Sequence, residues 1–254
     1  MASIKPIPEE PAAIVGESLV VTDLHIGVET SYRDRGVMIP SQIKKLTERL
    51  KNLIQQADVN KLIVLGDLKH NVHGSSWQEQ KEIPKFLNKL TNHVSISIIP
   101  GNHDGNLKKI IPKNKEIKLL NNRGTIVNEV GLVHGHTWPK PEIMQCKNIL
   151  IGHNHPVIEF NDGFKQHRKK AWIRTPLNKN NLTKKYPNIK WKNQKLVIMP
   201  AYSNLVGSVS FNNTKNNFLG PLFNQNIANT NKMKTHLLDG TYLGKVKKIK
   251  NNQK

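Results

Sequence analysis

The chain of 254 residues has one cysteine, Cys146. That excludes an internal disulfide and any metal site built from several thiolates. Aromatic residues are scarce, at 6%, and no apolar run approaches the ~18 residues that a membrane-crossing helix needs. The opening stretch, MASIKPIPEEPAAIVG, carries two acids and three prolines but no apolar core of the secretory type. No leader and a cytoplasmic protein are therefore expected. Neither G-x-S-x-G nor G-x-G-x-x-G occurs, which removes nucleophile-elbow hydrolases and dinucleotide enzymes from consideration. Acidic residues are also few, 18 against 39 Lys+Arg.

That shortage is unevenly distributed. Residues 160–254 hold 19 Lys+Arg against only Asp162 and Asp239, so this third carries most of the formal net charge of +21. A field of this kind attracts polyanions such as nucleic acid or an acidic membrane face. An abundance of Lys and Asn is also what a compositional bias toward A and T in the coding sequence produces.

The N-terminal two-thirds alternates short apolar runs with helical patterns. SLVVTD (18–23), KLIVLGD (61–67) and VSISIIPGNHD (94–104) read as buried strands ending in polar tips. Between them, Ile43, Leu46, Leu50, Leu53 and Ile54 recur at helical spacing, and WQEQKEIPKFLNKL (77–90) predicts a helix interrupted near Pro84. VGLVHG (130–135) and KNILIGH (147–153) repeat the strand-to-histidine pattern. Residues 169–174, 195–202 and 205–211 read as further strands, and 235–249 as a hairpin with a type I′ turn at Asp239-Gly240. The expected architecture is α/β: two sheets with flanking helices over 1–211, and a basic extension, 212–254, whose hairpin packs on the same domain. NNTKNNF and the tail KIKNNQK are expected to be mobile.

Five segments place metal-binding side chains just after these strands: Asp23-Leu24-His25, Gly66-Asp67, Gly101-Asn102-His103-Asp104, His134-Gly135-His136 and Gly152-His153-Asn154-His155. In an extended chain, residues i and i+2 point the same way. Asp23 and His25 would then grip one ion, and His153 and His155 would be neighbours. Carboxylate, imidazole and amide oxygen without thiolate suit manganese, iron or zinc.

With these segments the sequence resembles the calcineurin-like metallophosphoesterases, whose ordered signature is D-x-H, GD, GNH-D/E, a lone His before Gly, and GH-x-H. TDLHIGVE, RDRGVMIP, LGDLKH, VHGHTWP, IGHNHP, KLVIMPAYSNL and LLDGTYLGKV are similar to the SbcD-related archaeal and DNA-ligase-associated subgroup. The resemblance implies a four-layered α/β/β/α sandwich with a binuclear site. Asp23, His25 and His155 would hold one metal, Asn102, His134 and His153 the other, and Asp67 would bridge them. Manganese is the expected ion, with iron, zinc or nickel as alternatives. Two such ions share a hydroxide that is nucleophilic at neutral pH. His103 matches the catalytic histidine, which protonates the leaving oxygen or stabilises its charge. Many relatives carry an Asp three residues after the bridging Asp to orient that histidine. Here the position is His70, which leaves Asp104 as a candidate orienting group.

Weaker signals surround this core. His136 would contact substrate phosphate or hydrogen-bond behind the ligands, and Arg33 and Arg35 would bind a phosphate or remain solvated. Phe164, Trp172, Tyr186 and Trp191, among ten Lys+Arg in 164–192, suit either a base-stacking surface or core. The expected function is a two-metal phosphohydrolase, a phosphodiesterase acting on nucleic acid or nucleotides. The alternatives are a cyclic-nucleotide or lipid-linked phosphodiesterase, and a non-catalytic metal-containing nucleic-acid-binding scaffold. Sheet edges after residue 195 would suit a homodimer.

Overall fold

The computed structural model describes residues 3–161, 165–213 and 217–249. Asp162, Phe164, the middle of the NNTKNNF stretch (214–216) and the end of the tail (250–254) lie outside the described residues.

The first sheet contains β1 (Lys5–Pro6), β2 (Ala12–Val15), β3 (Ser18–Val21), β4 (Lys61–Val64), β5 (Ser95–Ile98) and β6 (Ile117–Leu119), neighbours in that order. β3 to β6 are parallel, while β1 and β2 join antiparallel. Short α1 (Val28–Arg33) and the long α2 (Ile43–Ala57) and α3 (Trp77–Thr91) make the crossovers.

The second sheet contains β7 (Thr125–Val127), β8 (Val130–Leu132), β9 (Asn148–Ile151), β10 (Pro156–Asn161), β11 (Gln166–Pro176), β12 (Lys195–Ile198), β13 (Val209–Ser210), β14 (Lys234–Leu237) and β15 (Tyr242–Lys245). Its order is β13-β10-β11-β12-β9-β8-β7, and the hairpin β14–β15 attaches through β11. Helices α4 (Pro141–Met144), α5 (Lys179–Lys185) and α6 (Pro221–Asn224) belong to this half.

Alternation along the strands sorts the side chains into layers. Val20, Ile63 and Leu65 meet Leu132, Leu150, Val197 and Trp172 between the sheets. Leu19, Val21, Leu62 and Val64 face Leu50, Leu53 and Ile54 of α2 and Ile83, Phe86, Leu87 and Leu90 of α3. Ile149, Ile151, Leu196 and Ile198 face Ile143, Met144, Leu182, Leu222 and Phe223 on the far side. Each such side chain, fully buried, contributes roughly 1.5–3 kcal/mol. The result is the expected four-layered α/β/β/α sandwich. Among the described residues, no helix is long and apolar enough to cross a membrane.

Three local expectations are corrected. Helix α3 runs through Pro84 without a break, because Ser76 and Glu79 form a capping box and the helix buries an unbroken apolar face. The missing Pro84 N–H leaves only the carbonyl of solvent-facing Gln80 without its helical partner. The hairpin turn is not type I′, since Gly240 has φ 90° while Asp239 is not in the left-handed region. Gly240 N donates to Leu237 O at 3.1 Å and Leu237 N to Thr241 O at 2.9 Å, the pattern of a three-residue loop with a glycine bulge. Trp172 and Tyr186 are buried, and Trp191 packs against the outer core, so these aromatics are core rather than a stacking surface.

Candidate metal centre

The five motif segments follow β3, β4, β5, β8 and β9, whose carboxyl ends are brought to one edge, as parallel strands require. The backbone turns sharply there. Asp23, His25, Asp67, His153 and His155 have φ of 56°, 47°, 51°, 67° and 40°, left-handed conformations that cost of order 1–3 kcal/mol each. The chain is therefore not extended at either pair, and His153 and His155 are not neighbours at one site. Asp23 and His25 converge together with His155, whereas His153 converges with Asp67 and His134.

Asp67 lies between the two groups. Its Oδ2 is 3.6 Å from His25 Nε2 and 3.4 Å from His134 Nε2. Its Oδ1 accepts the backbone N–H of His103 at 2.9 Å. Asn102 Oδ1 stands 3.3 Å from His134 Nε2, and His155 Nε2 is 3.1 Å from Asp23 Oδ1. Gly66 has φ 91°, and a β-carbon there would collide with the imidazole of His134. Only glycine allows this approach.

Backbone carbonyls orient the imidazoles. His134 Nδ1 donates to Leu65 O at 2.8 Å and His155 Nδ1 to Gly207 O at 2.6 Å. His103 Nδ1 donates to His70 O. A carbonyl only accepts, so each Nδ1 carries a proton, and in the neutral form of each ring Nε2 is the nitrogen left with the lone pair. Behind Asp23, the Thr22 hydroxyl lies 2.9 Å from Oδ2 and 2.8 Å from Leu65 O.

Burial alone raises the carboxyl pKa values, but the imidazoles outweigh it. His155 and then His134 lower Asp23 to about 2, and His134 holds Asp67 well below the usual carboxylate range. Burial lowers His25 and His153 to about 3 each, against the pull of the carboxylates. His134 is buried too, yet Asp67 raises it to about 9.

Asp23 Oδ1, His25 Nε2 and His155 Nε2 are buried and make no well-aligned hydrogen bond among the described residues, although Asp23 Oδ1 and His155 Nε2 face each other at 3.1 Å. Three convergent buried groups of O, N and N type are what a divalent cation of the manganese, iron or zinc class takes up. The residues present fit the expected metals.

The other predicted residues fall as follows. Asp104 is buried and accepts from Gly101 N at 2.8 Å and Lys69 N at 3.1 Å. It holds the loops together and does not orient His103. The orienting atom is the main-chain oxygen of His70, whose ring meets His25. His136 packs its ring 5.3 Å from His134 and 6.2 Å from His153, and its Nδ1 is buried without a hydrogen-bond partner among the described residues. Burial, with His134 beside it, lowers its pKa to about 4. Arg33 and Arg35 are exposed.

Sequence reasoning missed Thr22, Glu79, Lys69 and Lys170. Lys170 Nζ donates to Ala201 O, Ser203 O and Asn204 Oδ1 at 2.6, 2.8 and 2.7 Å. That loop bonds back to the first motif through Tyr202 N to Thr22 O and Ser203 N to Asp23 O. Only the S-x-x-E pattern at Ser76 and Glu79 left a local trace.

Among solved structures, the chain is similar to Pseudomonas putida nuclease MPE, at 18% identity over 93% of this chain and 98% of that one, with a TM-score of 0.56. It also matches Yfce, a phosphoesterase from E. coli, at 20% identity over 59% of this chain and 76% of that one, with a TM-score of 0.36. The family model for calcineurin-like phosphoesterases matches residues 18–215. That span includes all five motif segments, and the chain belongs to the calcineurin-like phosphoesterase family, as a metal-dependent phosphoesterase.

Proposed function

We propose that this protein is a two-metal phosphodiesterase acting on nucleic acid or nucleotides, of the SbcD-related kind. Asp23, His25 and His155 would hold one cation, Asn102, His134 and His153 the second, and Asp67 would touch both. The observation that carries this reading is the placement of Asp67 Oδ2 between His25 Nε2 and His134 Nε2, at 3.6 and 3.4 Å. Manganese suits the set of carboxylate, imidazole and amide donors. A pair of such cations supplies Lewis acidity toward the phosphoryl oxygens and activates water at neutral pH.

His103 belongs to neither of those two groups but lies against them: it clusters with His25 and His70, and its Nε2 is 3.9 Å from Asp67 Oδ2. With Nδ1 committed to the His70 carbonyl, Nε2 is the atom that would carry a proton to the leaving oxygen. Both donor groups are complete without it, so its role is proton delivery or charge stabilisation rather than cation binding.

The substrate class rests on charge and shape. A groove of about 560 Å³ opens beside His155, lined by Arg168 and Lys169 as well as Ser203 and Asn204. Most of its lining comes from the third of the chain that carries most of the positive charge, with Glu9 and Asp239 also on its wall. The Pseudomonas putida protein of the same fold is a nuclease, which fits a polymeric phosphodiester.

The test is manganese-dependent hydrolysis of labelled single-stranded DNA and RNA beside a small phosphodiester, with chelator and His103→Ala as controls. Cleavage of the polymers, lost in both controls, is expected. Binding to the polymers should weaken linearly in log affinity against log salt, as release of counterions from several phosphates requires. Cleavage of the small diester alone would overturn the nucleic-acid reading. Binding of two ions with no cleavage at all would favour a scaffold.

A further inference from the structure

Glu79 is fully buried at the start of α3, and its carboxylate reaches well beyond the helix cap. Oε2 accepts Ser76 N at 2.6 Å, while Oε1 accepts His70 N at 2.9 Å and Asn71 N at 2.7 Å. Lys69, also buried, donates Nζ to Gly74 O at 2.8 Å and to Asn71 O. The whole turn from His70 to Ser76 is thereby fastened to α3.

His70 then faces the metal centre in two ways. Its carbonyl oxygen receives His103 Nδ1–H, and its ring Nδ1 lies 3.4 Å from His25 Nδ1. Two facing ring nitrogens bond only when one carries the proton and the other does not. If His25 Nδ1 carries it, His25 Nε2 keeps a lone pair, and Nε2 is the buried, unpartnered atom beside Asp67. The opposite assignment would put the proton of neutral His25 on Nε2 and remove that lone pair.

We propose that His70 is a positioning residue for both sides of the reaction. Its ring fixes the tautomer of His25, and its carbonyl fixes the orientation of His103, with Glu79 holding both in place. The proposal rests on the ligand and proton-donor reading above.

Because one function uses the ring and the other the main chain, two substitutions separate them. His70→Ala removes the ring and keeps the carbonyl. Manganese affinity, measured by competition with a chelator, is expected to fall about 10–100-fold, the usual effect of losing a hydrogen-bond partner of a ligand histidine. Excess manganese should restore most of the turnover, and His70→Asn, whose Oδ1 also accepts, should recover the affinity. Glu79→Gln places an amide N–H where an acceptor is required and shifts the His70 carbonyl. Its expected effect is a kcat lowered about 10–100-fold with two manganese ions still bound by elemental analysis.

Unchanged manganese affinity in His70→Ala would overturn the proposal, whatever Glu79→Gln does. So would a third manganese per chain that disappears in His70→Ala, because the ring would then be a ligand itself. If Glu79→Gln fails to fold by circular dichroism, the His70 variants decide alone. Wild-type protein that binds no manganese and cleaves no diester would instead sink the underlying reading, and the proposal with it.

Discussion

The β-carbon that Gly101 lacks would collide with Oδ1 of Asp67. The carboxylate occupies that space, and its Oδ1 receives the next loop's His103 N–H at 2.9 Å. Gly101→Ala should therefore push Asp67 away from His25 and His134 and lower the manganese content below two ions per chain. Elemental analysis of the purified variant checks this. Full metal content would mean that the loop yields elsewhere.

Asp67→Ala removes the group that stands between both sets of donors. Its loss of turnover should exceed the roughly 100-fold that goes with losing an outer hydrogen-bonding partner, and both cations should be depleted. A variant that keeps two manganese ions would show that Asp67 does not bridge them.

His103→Ala should behave in the opposite way. Two ions remain, while turnover falls by about 10²–10⁴, the range for removing a general acid. Metal content and single-turnover rates measured on the same preparation distinguish this from the Asp67 result.

Lys170→Met would remove the donor that gathers the oxygens of Ala201, Ser203 and Asn204. We expect a loss of about 1–3 kcal/mol, as for a buried hydrogen-bonded group deprived of its partner. Protease sensitivity should rise within 200–208, next to the bonds from Tyr202 and Ser203 to the first motif. Denaturant melts and mass spectrometry of the cleavage products test both.

Tyr186 anchors the segment after His134 and His136 by donating its hydroxyl to Pro139 O at 2.8 Å. Burial pushes its phenol up to about 12, against the opposing effect of Arg123. An unfolded tyrosine loses its proton near pH ~10, so between about 10 and 12 the unfolded state binds fewer protons than the folded one. This contribution to stability is thus constant below pH ~10 and is lost as pH rises toward ~12. Tyr186→Phe should cost about 1 kcal/mol at neutral pH and flatten the alkaline decline relative to wild type. Urea unfolding of both proteins across that range provides the comparison.

Much of the sandwich is legible locally. β3, β4, β5, β8 and β9 are short apolar runs because parallel strands are buried on both faces. α2 and α3 show helical spacing because only one side of each is covered. β1, β6 and β7 leave no such trace because they are edge strands whose residues are mostly partly or fully exposed, so no apolar run is required of them. α5, with its run of Asn and Lys, has only Leu182 as a buried residue.

The roster of carboxylates and imidazoles that could hold a cation, their order, and the glycines beside them were present in the amino-acid sequence, since each occupies a strand-end segment with its own local pattern. Tertiary structure decided which donors share a site. His153 and His155 are two residues apart, yet left-handed turns at both direct them to different groups. His155 reaches Asp23 and His153 reaches Asp67, across contacts between chain segments remote in sequence. The tautomers were likewise decided by the carbonyls of Leu65, Gly207 and His70, because a main-chain oxygen has no side-chain signature. The buried Lys69 and Glu79 and the half-buried Lys170 follow the same rule: among 39 Lys+Arg, only the folded chain brings the oxygens to one ammonium and withholds them from another.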